Sequence, residues 1–281
     1  MVAFPNAKIN IGLHVLEKRT DGFHNIETAF YPVSWCDVLD VVVDESRTRG
    51  ISRKKNPGIV FKTTGVETYS SQEKNLCVRA YRLLEKDFPL KPVRMHLHKI
   101  IPIGAGLGGG SSDAAYAIRL IDKIFSLGLT IQQMMSYASI LGSDCAFFIE
   151  NKPCYATGRG DVLEPIKLSL DKYHILIVKP DIHISTANAY GKVKPSKPSQ
   201  SLHKLLNMEV ETWKKNIKND FEDFVFEEYS ELPVIKQKLY DNGAIYASMS
   251  GSGSAMYGIF KEKKDFKKIF PQLATWHGFL S

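Results

Sequence analysis

The sequence predicts an α+β protein of two domains, and three observations carry that expectation. Short alternating apolar stretches stand beside helical apolar stripes, but they do not repeat as regular βαβ units, so mixed layers are favoured over a doubly wound sheet. Asparagine, proline, glycine and aspartate cluster between Glu150 and Leu163, where a domain change is expected. A chain of 281 residues, 44% apolar, can build one large core or two modest ones. The expected division is 1–155 and 156–281.

Taken in order, Ile9, Ile11 and Leu13 alternate with Lys8, Asn10 and Gly12, which predicts a strand with one buried face. Lys8 and Asn10 share the other face, and a core does not readily hide an ammonium and an amide. Val38–Val43 and Ile59–Thr63 read as the next strands. Asn75–Lys86 places Leu76, Ala80, Leu83 and Leu84 at helical spacing. Val93, Met95 and Leu97 alternate with Arg94, His96 and His98 as a further strand. A helix from Ser111 to Ile124 turns Ala114, Ala117, Ile118 and Ile121 inward. Thr130 and Gln133 form a capping box for the next helix, which ends at Leu141-Gly142. Beyond the domain change come a strand at Tyr173–Val178 and an exposed connector at Lys192–Gln200. Helices follow around Leu202–Leu206, Val210–Ile217, Phe221–Glu228 and Pro233–Asp241, then a strand at Ala255–Phe260 and a closing helix from Lys264.

Thirty-seven basic against 30 acidic residues give a net charge of +7, a balance that favours anionic ligands. The lysines are scattered. The runs Arg53-Lys54-Lys55 and Lys263-Lys264 are short, lack an aromatic ladder, and read as solvated turns, so no nucleic-acid partner is expected. Cys36, Cys77, Cys145 and Cys154 form no CxxC pair and no zinc-like spacing with histidine. No segment has the length and apolarity of a membrane span, and Met1–Lys8 lacks a leader pattern; a cytoplasmic protein with no membrane partner is expected.

The central feature is the run Pro102, Ile103, Gly104, Ala105, Gly106, Leu107, Gly108, Gly109, Gly110, Ser111, Ser112, with five glycines in seven positions. Glycine lets a ligand approach the main chain, and the run feeds a helix N-terminus, whose amides and dipole favour phosphate. Ordering so many glycines is costly, which argues against a mere connector. Gly104, Gly106 and Gly109 match GxGxxG, but a dinucleotide fold also needs a tight strand–turn–helix unit and an acidic residue ending the next strand, and here the helix leads to another helical pattern and not to a clear strand. A Walker loop is excluded, because Gly110 is followed by Ser111 and not lysine.

Three separated motifs resemble those of the galactokinase, homoserine kinase, mevalonate kinase and phosphomevalonate kinase superfamily. They are Pro5-x-Ala7-Lys8-Ile9-Asn10-Ile11-Gly12-Leu13, the Pro102–Ser112 loop followed by Asp113-Ala114-Ala115, and Met249-Ser250-Gly251-Ser252-Gly253. Their order and spacing cover essentially the whole chain. The resemblance implies a small-molecule kinase using ATP with Mg2+. It also implies a ribosomal-protein-S5-like N-terminal domain and a ferredoxin-like C-terminal domain. Arg19-x-Asp21-Gly22-Phe23-His24, Leu141-Gly142-Ser143-Asp144-Cys145-Ala146-Phe147-Phe148 and Ala156-x-Gly158-x-Gly160 further resemble one branch. That branch phosphorylates the 2-hydroxyl of a cytidine-diphosphate methylerythritol, on the non-mevalonate route to isoprenoid precursors. Two departures stand out: Phe23 where many members carry tyrosine, and Asp144-Cys-Ala-Phe-Phe where Asp-Val-Pro-Phe-Phe is commoner.

From its neighbours alone, Asp144 reads equally as a helix-end residue or a catalytic carboxylate; the resemblance implies the second. It likewise implies a catalytic Lys8, with Asn10 orienting the acceptor hydroxyl or Lys8. The bland alternative for Lys8 is a tail reaching solvent. Phe23 and His24 are implied to read the cytosine, with Tyr190 as a second stacking face. Asn75 is implied near adenine, competing with a plain N-cap role. Lys99 either helps hold ATP or is merely solvated. Gly251, Ser252 and Gly253 are implied in the active-site wall. No tight metal cluster is encoded, so magnesium is expected to arrive with ATP and to be held mainly by phosphates, with Ser112 a candidate contact and no protein ligand fixed by the sequence. The rivals are a homoserine or mevalonate-like kinase, which needs no cytosine stack, a nucleotide-binding protein without transfer chemistry, and an RNA-binding domain.

Overall fold

The structure, a computed structural model, describes residues 1–47, 58–67 and 71–280. The Arg53-Lys54-Lys55 turn therefore lies outside the described residues. The strands are β1 (Val2–Ala3), β2 (Asn6–Lys18), β3 (His24–Cys36), β4 (Val38–Val43), β5 (Ile59–Gly65), β6 (Val93–Lys99), β7 (Cys154–Thr157), β8 (Val162–Pro165), β9 (His174–Lys179), β10 (Tyr246–Met249), β11 (Met256–Phe260) and β12 (Ala274–Phe279). The helices are α1 (Leu76–Asp87), α2 (Gly109–Phe125), α3 (Ile131–Leu141), α4 (Phe147–Glu150), α5 (Thr186–Lys192), α6 (Leu202–Leu206), α7 (Val210–Asn216), α8 (Phe221–Glu228), α9 (Glu231–Asp241) and α10 (Phe266–Ile269). They fall into two compact units, interleaved in sequence: residues 1–7, 35–103 and 108–151 form the first, and 8–34, 104–107 and 152–281 the second.

In the first unit the sheet order is β1-β4-β6-β5, with β4 antiparallel and β5 parallel to β6. The register Leu39↔Leu97 and Val41↔Met95 places apolar pairs on one face, where α2 packs on β4 and α1 on β5. The predicted stripe of α2 is the core: Ala114, Ala117, Ile118 and Ile121 are all fully buried. Asn75 caps α1 by accepting the Cys77 amide at 2.9 Å. The Thr130–Gln133 box is formed in both directions, and α3 stops at Gly142.

The second unit holds two four-stranded sheets, β2-β3-β7-β8 and the antiparallel β10-β11-β9-β12. β9 is central in the latter; Ile177 faces Tyr257 on one side and Trp276 on the other. Helix α9 packs on β10 and β11, and α8 on α9, closing a core that includes Leu176, Val178, Phe221, Leu239 and Phe260.

Several expectations give way here. β2 is buried on both faces from Asn6 to Val15, not on one. The second face is covered by α6 and the end of α7: a Cβ on Gly12 would lie 2.7 Å from Leu202 and 2.8 Å from Ile217. β3 escaped the sequence reading because a strand buried on both faces shows no alternation, and Pro32 reads as a breaker. β7, β8 and β10 are four-residue strands, and α5 spans seven residues. The closing helix shrinks to the four residues of α10, and the chain ends instead on the edge strand β12.

Candidate active site

In the second unit, three stretches distant in sequence meet at Lys8. Lys8 and Asn10 project from the same side of β2 because they are two residues apart. The Lys8 ammonium is 3% exposed, so the solvent-reaching alternative is excluded. It donates to the Asn10 side-chain oxygen at 2.5 Å and to the Gly106 carbonyl at 3.0 Å, and lies 5.1 Å from the Phe30 ring centre. The Asn10 amide nitrogen donates to Thr28 Oγ1 at 2.9 Å, which donates to the Gly12 carbonyl. These bonds fix Asn10 with its oxygen toward the ammonium.

Ser250 joins the same network. Its hydroxyl donates to the Gly106 carbonyl at 2.8 Å and accepts the main-chain N–H of Asn10 at 3.2 Å. A Cβ on Gly106 would stand 2.0 Å from the Ser250 carbonyl oxygen, and Gly106 has φ +76, so only glycine serves there. A Cβ on Gly251 would touch Gly106 and the Asn10 oxygen at 3.3 and 3.4 Å. Ser252 bonds Thr186 at 3.1 Å, and Gly253 donates its amide to the Ser250 carbonyl. Sequence reasoning passed over Asn219, whose amide holds the Met249 and Gly251 carbonyls at 2.9 and 2.8 Å. Its only signal was a polar residue before α8, where its oxygen also accepts the Phe221 amide.

The glycine run has a regular build. Gly104, Gly106 and Gly108 all take positive φ, and the residues between them, Ala105 and Leu107, are buried. Leu107 accepts the Lys8 amide and Ala105 the Ala255 amide. Ile103, Gly104 and Gly110 remain exposed, while Pro102 is partly covered. Gly104 stands beside the His183 ring, a neighbour the sequence did not suggest.

The rest of the run lies in the first unit. Gly108 begins α2 with no side-chain cap, and a Cβ on Gly110 would meet nothing within 4 Å. The first-turn amides of a helix have no intrahelical partners, so this end of α2 suits an anion. Ser111 hydrogen-bonds the buried Cys145 thiol, which burial pushes up to about 11. The Ser112 hydroxyl is fully buried and has no hydrogen-bond partner, an atom poised for a ligand. Asp144 is partly exposed in the turn between α3 and α4. Asn75 is the N-cap of α1, which engages its side-chain oxygen. Lys99 is not solvated: it is 4% exposed, and its ammonium bonds both Asp37 and Asp113.

The residues expected to meet cytosine lie in the second unit on a built turn. Arg19 bonds Asp21 through two nitrogens, and Asp21 accepts the Phe23 amide at 3.1 Å, with Gly22 at φ +85. Phe23 is 53% exposed, with the Arg159 guanidinium 5.0 Å from its ring centre. His24 is buried and stacks on Tyr190 at 5.2 Å with 23° between planes. Burial, reinforced by Lys18, holds the His24 imidazole below its ordinary value, favouring the neutral ring.

Comparison with known proteins decides the family. The GHMP kinases N terminal domain matches residues 75–152, and the GHMP kinases C terminal domain residues 201–277. A 4-diphosphocytidyl-2-C-methyl-D-erythritol kinase of Bacteroides thetaiotaomicron is 48% identical over 93% of this chain and 92% of its own. That of Azobacteroides pseudotrichonymphae is 47% identical over the full length of both. The chain belongs to the 4-diphosphocytidyl-2-C-methyl-D-erythritol kinase family of GHMP kinases.

A crystal structure of a 4-(cytidine 5'-diphospho)-2C-methyl-D-erythritol kinase superposes with a TM-score of 0.82 at 28% identity, covering 99% of this chain and 98% of that one. A mevalonate kinase of Methanococcus jannaschii shares the fold, with a TM-score of 0.73 at 13% identity over 100% and 98% of the two chains. This GHMP kinase thus has the two-domain α+β fold of its family. Among the described residues no helix is long and apolar enough to cross a membrane, and no cluster of three metal-binding side chains occurs.

Proposed function

We propose that this kinase transfers the γ-phosphoryl group of ATP to the 2-hydroxyl of 4-diphosphocytidyl-2-C-methyl-D-erythritol, giving ADP and the 2-phosphate, in the non-mevalonate route to isoprenoid precursors. The observation that carries the reading is near-full-length identity of 45–48% to kinases of that name. The meeting of Lys8, Asn10, Gly106 and Ser250 supports it.

The backbone amides of the Gly104–Ser112 run and the start of α2 would hold the triphosphate. In the transfer, the acceptor oxygen forms a bond to the γ-phosphorus as the bond to the β–γ bridging oxygen breaks, and that oxygen keeps the electron pair in ADP. Asp144 receives the hydroxyl proton or holds the hydroxyl in line. Lys8, oriented by Asn10 and Gly106, stabilises charge developing on the acceptor side. Phe23 and Tyr190 supply stacking faces for cytosine, and neutral His24 a hydrogen-bonding edge. Magnesium suits the residues present: the orphaned Ser112 hydroxyl is a hard oxygen donor at the phosphate end of α2. When bound, the metal neutralises phosphate charge.

The test supplies ATP and magnesium with the cytidine-diphosphate substrate, homoserine or mevalonate in separate reactions, and measures ADP and phosphorylated product. Transfer to the cytidine compound alone is expected. Transfer only to homoserine or mevalonate would overturn the assignment.

A further inference from the structure

The transfer chemistry proposed above gives no task to a cluster of buried charges beside the glycine run. Lys99, at the end of β6, bonds Asp37 and Asp113, the latter at 2.8 Å. All three side chains are at least 96% buried. Charges are not withdrawn from water without strong compensation, and a buried ion pair is weak evidence for stability as such. What this cluster touches is more telling.

One oxygen of Asp37 accepts the amides of Ile100 and Ile101, at 2.5 and 2.8 Å. Those are the last residues before Pro102. The Asp37 amide is itself held by the Pro5 carbonyl at 2.8 Å. Asp113 sits in the first turns of α2, immediately after Ser112. Gly109, the first residue of α2, lies flat on the cluster: a Cβ there would be 3.2 Å from the Lys99 nitrogen and 3.0 Å from Ile101. The clamp therefore grips the chain just before the glycine run and just where the run becomes helix. The first-unit glycines have no side chains with which to fix themselves.

We propose that Asp37, Lys99 and Asp113 are positioning residues for phosphoryl transfer, a carboxylate–ammonium–carboxylate clamp that sets the ends of the phosphate loop. The proposal rests on reading Pro102–Ser112 as the ATP loop. Lys99 then acts through the loop and not on the nucleotide.

Steady-state kinetics on the full-length enzyme test this. Asp37→Asn is expected to raise KM for ATP by about tenfold or more, as a loop displaced by a fraction of an ångström does. KM for the cytidine substrate stays within about twofold, and circular dichroism shows a folded protein. Asp113→Asn, which keeps an acceptor for Lys99, is expected to raise KM for ATP in the same sense and decides the test if Asp37→Asn does not fold. Folded variants whose KM for ATP matches the wild type would overturn the clamp alone. Equal shifts of KM for both substrates would do the same. A wild-type enzyme that fails to bind ATP in calorimetry would overturn the loop reading and the clamp with it.

Discussion

Lys8 and Lys99 are almost equally buried, at 3% and 4% exposure, yet they are tied to different parts of the chain. Lys99 is bonded by two carboxylates, which outweigh the cost of burial and raise its pKa. Lys8 donates to the Asn10 amide oxygen and to the Gly106 carbonyl within the glycine run. A buried lysine is therefore not a functional mark by itself. What each ammonium is tied to separates them: Lys99 braces carboxylates at the two ends of the first-unit loop, whereas Lys8 donates to a carbonyl of the glycine run itself.

The largest expected effect breaks the chemistry and spares the frame. Asp144→Ala should lower kcat by a factor of about a hundred to ten thousand, while calorimetry still detects ATP binding. A variant with near-normal turnover would remove Asp144 from the mechanism. Lys8→Met should lower kcat by roughly a hundred- to a thousandfold. Lys99→Met should act chiefly on stability, since it strands two buried carboxylates, a loss of about 3–5 kcal/mol readable in urea unfolding. If the two lysine variants lost stability and turnover alike, the distinction between them would collapse.

The clamp also predicts a pH effect on stability. The folded pKa of Asp113 is raised to about 7 from 3.8, so the native state binds the proton more tightly than the unfolded chain. Its contribution is fully present below the unfolded value and is lost as pH rises through about 7. Asp113→Asn should flatten the fall in thermal midpoint between pH 5 and 8 relative to the wild type. An unchanged slope would assign the proton elsewhere.

Smaller effects should fall on one substrate only. Phe23→Ala should raise KM for the cytidine substrate about tenfold, within the ~1–3 kcal/mol that a base–aromatic stack contributes, leaving KM for ATP alone. Equal effects on both substrates would argue against base stacking. The smallest change lies far from either lysine: Thr130→Ala removes the α3 capping bond and should cost about 1 kcal/mol of stability with unaltered kinetics.

Local rules made part of this legible. The inward stripe of α2, the Thr130–Gln133 box and the Asn75 cap depend on residues within a turn or two of one another. The glycine run announced an anion site because its neighbour is a helix start. β3 and β12 were not legible: one is buried on both faces, and the other is a half-buried edge strand defined by its pairing with β9. In the site, Phe23 and His24 were placed by motif, but the stack of His24 on Tyr190 joins residues that no short-range pattern relates.

The sequence by itself determined the family, the loop and the two faces of β2, since each is written in residue type and spacing. Only the tertiary structure decided what those faces meet. Asp37 stands between β3 and β4, where the sequence does not single it out, yet it reaches Lys99 across 62 residues. For Lys8 the sequence leaves a solvent-reaching tail as an alternative, which closes only when α6, α7 and the Ser250 loop cover the second face of β2. The reason is physical: the cost of burying a charge depends on the groups that arrive around it, and those come from parts of the chain that only folding brings together.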